Sequence, residues 1–374
     1  MDEHPTVAGD LEEFAEERAE AVLEENQEIA RKLRAAKADA TQLRRERDRL
    51  REQLDILERI REEAEILAPQ PKWLKPPKKK GGPKRAILLS VLSDTHVGEI
   101  VDPDQLGDMN KFDLRIADRR LRRYFEKISM LSRSYLTGVE KEGVVLALGG
   151  DMISGEIHDE LAQTNELSVF ESVLWLAPRL VAGIEALAEE FKHVFVVSAP
   201  GNHPRDSWKP RYKGRAVHNA DYLLGKMVES YFRRSNPSAD SVVFSVPTSI
   251  DADFEIYRFR FSMEHGDEMQ KTNPGTSEIG ALGPVKRGTL RKARQRQAEG
   301  RPMDYLVVGH FHQLVAAPDQ GFLMNGTLKG YDEFARGLHL KPEPPQQLLV
   351  VVTPEYGPTQ SMPVRVSKRT EEGW

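Results

Sequence analysis

The sequence predicts an α/β domain preceded by a long charged helix. Two observations support this division of the chain. Residues 10–68 contain no proline and no glycine and carry a seven-residue apolar period, which is typical of a long helix. From residue 85 onward, short apolar runs alternate with segments of helical period, which is typical of a layered α/β domain. We therefore predict a helix over 1–68, a linker over 69–84 and a folded domain over 85–374.

The N-terminal helix carries one regular apolar seam and one mixed seam. The position three residues before the regular seam includes Asn26, Arg47 and Arg61, which weaken the seam and could fix its register. We interpret the pattern as a coiled coil that joins chains into a homodimer or a higher homo-oligomer. The alternative is a single solvated helix, or one that lies on the domain. The regular seam consists of Val22, Ile29, Ala36, Leu43, Leu50, Leu57 and Ala64.

The linker over 69–84 reads PQPKWLKPPKKKGGPK. Its prolines end the helix because they lack a backbone donor and clash with the preceding turn. The lysines and glycines that follow are typical of a solvated tether that is semi-rigid at its start. Contact between these lysines and a phosphate backbone is the second interpretation.

The domain is predicted to contain six strands and two long helices. The helices are expected at Leu114–Ser134 and Leu161–Glu190, and the last eight residues, SKRTEEGW, are expected to be a poorly ordered end. The strands are expected at Ala86–Leu92, Val144–Leu148, His193–Ser198, Phe254–Met263, Tyr305–Val308 and Gln347–Thr353.

Composition excludes several classes of site and partner. The 374 residues carry a net charge of -5, so any nucleic-acid contact must use local basic patches. Cysteine is absent, which excludes disulfides, thiolate zinc sites and cysteine nucleophiles. The acidic N-terminus does not resemble a secretion signal, and no run of about 18 apolar residues could span a membrane. A cytoplasmic location without membrane attachment is expected.

Polar side chains follow five of the strand-like runs, directly where each run ends. Because strand ends converge on one edge of an open α/β sheet, residues remote in sequence are expected to meet there. An isolated histidine is more often structural, but an ordered set of this size points to one site. The set comprises Asp94, His96, Asp151, Asn202, His203, His265, His310 and His312.

These residue types suit metal ions. Aspartate and asparagine offer oxygen and histidine offers a neutral nitrogen, which are ligands for hard or borderline divalent metals. Several carboxylates are needed to hold two cations within about 4 Å of each other. The sequence therefore predicts two divalent metal ions, with Mn first and Mg, Fe, Zn or Ni as alternatives.

The ordered series D-x-H, G-D, G-N-H, H and G-H-x-H resembles the calcineurin-like metallophosphoesterase superfamily over residues 86–330. The resemblance implies a four-layer β-sandwich flanked by helices, and hydrolysis of phosphate esters by a metal-bound hydroxide. It implies that Asp151 bridges the two metals and that His203 faces the phosphate and protonates the leaving oxygen. The other implied ligands are Asp94, His96 and His312 for one metal and Asn202, His265 and His310 for the other.

Within that superfamily, the chain is most similar to the DNA-repair exonuclease branch and to phage-type phosphoesterases. The segment Asn325–Asp332 carries the phage-type likeness, which implies a bacterial or phage-infected cell. Ser154 stands where repair nucleases carry a second histidine, and no DNA-capping domain is recognisable after residue 330. His158 is interpreted either as a displaced substrate contact or, preferably, as a surface residue.

Two basic segments bear on the substrate. One follows His203 and contains Trp208 and Tyr212 among its cations. The other follows His265 and contains Arg287 and Arg291. Basic loops with interleaved aromatic residues suit a nucleic-acid backbone, although the second segment also fits a solvated helix face. The residues expected to contact substrate are Arg205, Lys209, Arg211, Arg287 and Arg291.

Three functions follow from the sequence. The first is a metal-dependent DNA nuclease or phosphodiesterase. The second is a phosphomonoesterase that acts on a nucleotide or phosphoprotein. The third is a non-catalytic coiled-coil scaffold, which is disfavoured because every implied ligand position is filled.

Overall fold

The computed structural model describes residues 18, 28, 31–37, 39–45, 47, 48, 51, 70–75, 84–235, 241–272 and 282–372. The chain forms two compact units, Met1–Glu62 and Glu63–Trp374. The described residues of the first unit are helical and exposed, including Ala36 and Leu43 of the regular seam. The other seam residues and linker residues 76–83 lie outside the described part, so self-association through the helix stays a prediction.

The second unit contains two β-sheets. The six-stranded sheet has the order β11-β10-β1-β2-β3-β4, and the five-stranded sheet has the order β5-β6-β7-β9-β8. The strands are β1 (Lys84–Leu92), β2 (Val139–Leu148), β3 (Val194–Ser198), β4 (Val242–Ser245), β5 (Asp251–Ile256), β6 (Phe259–Glu264), β7 (Tyr305–Val308), β8 (Val315–Ala317), β9 (Phe322–Met324), β10 (Gln346–Thr353) and β11 (Gly357–Arg365).

Helices cover the outer faces of both sheets. Short 3-10 helices at Lys72–Leu74, Asp267–Thr272 and Pro318–Gln320 complete the described elements. The α-helices of this unit are α1 (Pro103–Leu106), α2 (Leu114–Tyr135), α3 (Asp159–Thr164), α4 (Val169–Phe191), α5 (Ala220–Ser235), α6 (Leu282–Ala298), α7 (Glu333–Gly337) and α8 (Arg369–Glu372).

The two faces of β1 show how the layers form. Successive side chains of a strand point to opposite faces, so Leu88 packs among the helices while Ile87 and Leu89 pack between the sheets. On the second sheet, Phe261 faces the first sheet and Leu306 faces the helix α6. The order helix–sheet–sheet–helix confirms the predicted four-layer fold.

One predicted strand is a hairpin. The run Phe254–Met263 divides into β5 and β6, which pair antiparallel with Ile256 opposite Phe259. Tyr257 lies in the turn with a φ of 57°, a left-handed conformation that is uncommon for a bulky residue. Its ring is nevertheless buried, so the apolar alternation continues through the turn and conceals it in the sequence.

One predicted helix is two helices. The segment Leu161–Glu190 breaks between α3 and α4. Ser168 begins α4 with a capping box, in which its hydroxyl accepts from the Glu171 backbone N–H and the Glu171 carboxylate accepts from the Ser168 N–H. This S-x-x-E signal was present in the sequence and indicates a helix start.

The prediction of a poorly ordered tail was wrong for its described part. Residues Arg369–Glu372 form α8, and the Glu372 side chain is fully buried against Arg120. Arg120 is equally buried and also donates hydrogen bonds to the carbonyls of Leu328 and Lys329. An ion pair inside the protein therefore anchors the end of the chain. Within the described residues, no helix is long and apolar enough to cross a membrane.

Candidate metal centre

The predicted ligands follow the carboxyl ends of strands in both sheets. β1, β2 and β3 are neighbouring parallel strands of the first sheet, and β6 and β7 are parallel neighbours in the second. Parallel strands present their carboxyl ends at the same edge, where ligands bind in α/β folds. Three groups of side chains there have ligand atoms within 4.8 Å of one another: Asp94, His96 and His312; His96, Asp151 and His203; and Asp151, His265 and His310.

The first cluster consists of Asp94, His96 and His312. The His312 Nε2 atom lies 3.3 Å from Asp94 Oδ1 and 3.2 Å from His96 Nε2. Asp94 and His96 are 0% and 1% exposed. Burial lowers the pKa of His96 well below its ordinary value, and the nearby Lys329 ammonium lowers it further, so the ring is neutral and suited to bind a metal.

The second cluster consists of Asp151, His265 and His310. The His265 Nε2 atom lies 2.8 Å from Asp151 Oδ2. Burial lowers the pKa of His265, but the Asp151 carboxylate outweighs burial and raises it to about 10. The buried Asp151 carboxylate therefore strongly favours a positive charge beside it. The site fits divalent metal ions, because such ions would balance both buried aspartates with the nitrogen and oxygen donors present.

Asn202 supplies a further sign that the site suits a cation. It follows β3, and its Oδ1 atom is buried with no hydrogen-bond partner among the described residues. A buried amide oxygen without a donor costs free energy, which a cation at this position would recover. Asn202 directly follows Gly201, which packs against Asp151, and its role as a ligand stays a prediction. A side chain at Gly201 would collide with Asp151, since an added Cβ would lie 2.1 Å from its Oδ1.

His203 lies beside both clusters and forms a group of potential ligands with His96 and Asp151. Its backbone N–H donates to Asp151 Oδ1 at 2.8 Å, and its Nδ1 donates to the Ser154 carbonyl at 2.9 Å. The ring is therefore oriented by a main-chain carbonyl, which leaves Nε2 as the ring nitrogen without that bond. The exposed His158 lies nearby, with its ring centroid 6.1 Å from that of His203.

The backbone at this site is held in an uncommon conformation. Five of the seven implied ligands have positive φ angles between 45° and 65°. Such angles cost about 1–3 kcal/mol each for residues other than glycine. They persist where the surrounding structure enforces them, and they are common at functional sites. These five residues are Asp94, His96, Asp151, His310 and His312.

Sequence reasoning missed Asp221, at the start of α5. Its carboxylate accepts from the backbone N–H groups of Met152 at 3.1 Å and Gly201 at 2.9 Å. It therefore ties together the two loops that carry Asp151 and Asn202. Burial and the charge of Asp151 raise the pKa of Asp221 to about 7. A single aspartate at the start of a helix is common, so the sequence does not indicate that Asp221 binds these two loops.

The segment Asn325–Asp332 supports the loop after β1. Asn325 is fully buried and donates to Ser93 Oγ at 2.9 Å and to Gln347 Oε1 at 2.6 Å. Thr327 donates from Oγ1 to the Asp94 carbonyl at 2.9 Å. The segment thus holds Asp94 in place by hydrogen bonds.

The cations of the first basic segment lie in different environments. Arg205 donates to the carbonyls of Asn202, Ser207 and Trp208, so its guanidinium holds the loop together. Lys209 is exposed, and Arg211 is half-exposed with a nitrogen 3.8 Å from Asp206.

The predicted cations of the second basic segment lie on α6. Arg287 and Arg291 are exposed, while Lys292 and Arg296 on the same helix are buried in ion pairs with Asp251. Residues 273–281, which precede the helix, lie outside the described part. Substrate contact by Arg287 and Arg291 stays a prediction.

Comparison with family models and with curated proteins finds no match. Comparison with solved structures finds, among others, the sulfate thiohydrolase SoxB of Thermus thermophilus in complex with glycerol. The two share 9% identity with a TM-score of 0.29, over 77% of this chain and 58% of SoxB. The chain thus spans less than two thirds of SoxB, and the likeness is too weak to carry an argument. The functional conclusion depends on the geometry of the site.

Proposed function

We propose that this chain is a metal-dependent phosphoesterase that uses two divalent ions, and that its substrate is a phosphodiester of DNA. The observation that carries the proposal is the position of Asp151. It forms one group of potential ligands with His265 and His310, the second cluster, and another with His203 and with His96 of the first cluster. A buried carboxylate within reach of ligands of both clusters is the arrangement that a two-metal site requires. Bound divalent ions supply Lewis-acid activation of water and neutralise charge on the phosphate.

The protein's own residues supply orientation and a proton. His203 is fixed through Nδ1 to the Ser154 carbonyl, so Nε2 carries the proton when the ring is charged. Burial lowers the pKa of His203, while Asp151 and Glu99 oppose that effect. An anionic phosphate next to the ring would favour the charged form further. His203 is then placed to protonate the leaving oxygen.

The segment that directly follows His203 supports a nucleic-acid substrate. Trp208 and Tyr212 are 60% and 79% exposed, and the cations Lys209, Arg211 and Lys213 lie between or beside them. Exposed aromatic rings stack on unpaired bases, and neighbouring cations attract the phosphate backbone. A pocket beside Asn202 is lined by Arg205, Arg211, Arg215 and Asp267 among others, so guanidinium groups outnumber carboxylates there.

A phosphomonoesterase is the second candidate, because the metal clusters alone would accept either class of ester. The test offers Mn²⁺-loaded protein three kinds of substrate: bis-p-nitrophenyl phosphate, p-nitrophenyl phosphate, and labelled single- and double-stranded DNA. We expect cleavage of the diester and of DNA. Hydrolysis of the monoester alone would contradict the nuclease proposal and leave the phosphoesterase proposal standing.

Self-association through residues 1–68 is proposed as a separate property. Deleting those residues should give a monomer by light scattering that still hydrolyses bis-p-nitrophenyl phosphate. A truncated protein that binds metal but has lost hydrolysis would show that the helix contributes to the site.

A further inference from the structure

A line of buried charges lies behind the first cluster, and the proposed reaction does not use it. The Lys329 ammonium lies 2.7 Å from Glu99 Oε1 and 2.6 Å from Asp332 Oδ2. Glu99, Lys329 and Asp332 are 7%, 3% and 4% exposed. Charged residues are almost never buried to this extent unless they are paired, so the line has a structural or functional reason.

The second oxygen of Glu99 faces a metal ligand. Its Oε2 lies 3.4 Å from His96 Nδ1 and 3.4 Å from Ser154 Oγ. The opposite nitrogen of the ring, His96 Nε2, faces His312 Nε2 in the first cluster. The His96 ring therefore stands between the Glu99 carboxylate and the place where a metal would bind. His96 Nδ1 has no hydrogen-bond partner among the described residues, so Glu99 is the acceptor within reach.

The charges in this line do not balance. Two carboxylates face one ammonium, which leaves one negative charge buried beside the first cluster. Burying excess charge is costly unless hydrogen bonds or an opposite charge compensate it. Asp332 uses its other oxygen to cap α7 through the Ala335 N–H. Glu99 Oε2 accepts from Ser154 Oγ, and this oxygen can accept a second hydrogen bond on the side of His96.

The second cluster is supported differently. His265 Nδ1 donates to the Gly149 carbonyl at 2.9 Å. This ring is held by a neutral carbonyl group, whereas His96 faces a carboxylate. A carboxylate behind a ligating histidine fixes the ring and makes it a stronger ligand.

We propose that Glu99 is a positioning residue that orients His96 and selectively strengthens the first metal site, with Lys329 holding Glu99 in place. The inference rests on the proposed two-metal function. A positioning role differs from a purely structural role, in which Glu99 would only anchor Lys329 and its loop. A structural role predicts lower stability of the protein, whereas a positioning role predicts a loss of affinity at one metal site.

The test measures Mn²⁺ binding to metal-free protein by calorimetry. The wild-type chain is expected to bind two ions. Glu99→Gln removes the charge but keeps the shape, and should weaken one site by about 10–100-fold while the other is unchanged. Glu229→Gln is the matched control, because Glu229 is also buried and paired with Lys226, but on α5. It should leave both metal affinities unchanged.

Three further readouts separate the two roles. Glu99→Asp keeps the negative charge beside Lys329 but shortens the reach to His96, so it should also weaken one metal site. This variant replaces Glu99→Gln in the test if Glu99→Gln does not fold. In a His96→Ala background, Glu99→Gln should cause no further loss of metal affinity, because the two residues act through each other. Excess Mn²⁺ should restore the rate at which the Glu99→Gln variant hydrolyses bis-p-nitrophenyl phosphate.

If the wild-type chain binds two ions and both Glu99 variants keep unchanged Mn²⁺ affinities, the inference is overturned and the proposed function stands. Equal weakening of both sites, or additive losses in the His96→Ala background, would also overturn the inference. A wild-type chain that binds no Mn²⁺ would overturn the inference together with the proposed function.

Discussion

The two clusters of potential metal ligands and the basic loop after His203 place their charged residues in opposite environments. In the clusters, Asp94 and Asp151 are at most 1% exposed. In the loop, Lys209 and Arg211 are exposed, while the half-buried Arg205 is committed to backbone carbonyls. A charge inside the protein must have a partner, so its residue type is informative about function. A charge at the surface has solvent as a partner, so its residue type alone indicates little.

The same contrast exists between two adjacent residues at the chain end. Glu372 is buried with Arg120, while Glu371 is exposed and pairs with Arg123 and Lys368. The predictions below use this difference between interior and surface charges.

The largest effect is expected for Asp151→Asn. Removing the shared carboxylate should lower metal occupancy and reduce hydrolysis of bis-p-nitrophenyl phosphate by about 10³-fold, as loss of a principal electrostatic group does. Metal content and rate are measured on the same sample. Asp319→Asn, at an exposed aspartate, is the control and should match the wild-type chain. Two ions per chain with a normal rate in Asp151→Asn would contradict the assignment.

A large effect on stability is expected for Glu372→Gln. The change leaves the Arg120 charge buried without its carboxylate, which should lower the free energy of unfolding by about 3–5 kcal/mol. Urea unfolding of the metal-free protein measures it. Glu371→Gln, one residue earlier on α8, should change stability little because the group is exposed and screened. Equal losses in the two variants would refute a special role for the buried pair.

An intermediate effect is expected from pH, through Asp221. Its pKa in the folded, metal-free protein is about 7, raised first by burial, against about 4 when unfolded. Between these values the folded state binds the extra proton. The Asp221 contribution to stability is therefore complete below about pH 4 and is lost as pH rises from about 4 to 7. The loss attributable to Asp221 is about 4 kcal/mol at most.

Asp332 has the opposite dependence. Burial alone would raise its pKa, but Lys329 outweighs burial and lowers it to about 2. The contribution of Asp332 to stability is therefore complete above about pH 4 and is lost as pH falls toward 2.

The Asp221 prediction is tested by urea unfolding from pH 4.5 to 7.5. The free energy of unfolding should decline more steeply with pH for the wild-type chain than for Asp221→Asn. Equal slopes would show that Asp221 does not titrate in this window.

The smallest effect is expected at the surface. Trp208→Ala should weaken binding of single-stranded DNA by about 1–3 kcal/mol, the value of one stacked base, without changing hydrolysis of the small diester. Tyr356→Ala is the control, because Tyr356 is 75% exposed but lies after β10, at the opposite edge of the sheet. Equal DNA affinity in all three proteins would argue against the loop as a nucleic-acid surface.

The sequence predicted the layers and the potential ligands because both depend on local patterns. Apolar runs and the polar residues after them appear in the sequence directly, as at Asp94 and Asp151. The hairpin at Tyr257 was missed because a buried aromatic residue in the turn continued the strand pattern. Asp221 was missed because its partners are backbone N–H groups of distant loops, which no spacing reveals. Glu99 lies three residues after His96, but its burial depends on Lys329, which is distant in sequence.

Anomalous diffraction from crystals grown with Mn²⁺ tests the central claim most directly. The account predicts two peaks at the carboxyl ends of β1, β2, β3, β6 and β7, with Asp151 in contact with both ions. One ion should contact His96 and the other His265. A single peak, or two peaks away from Asp151, would contradict it.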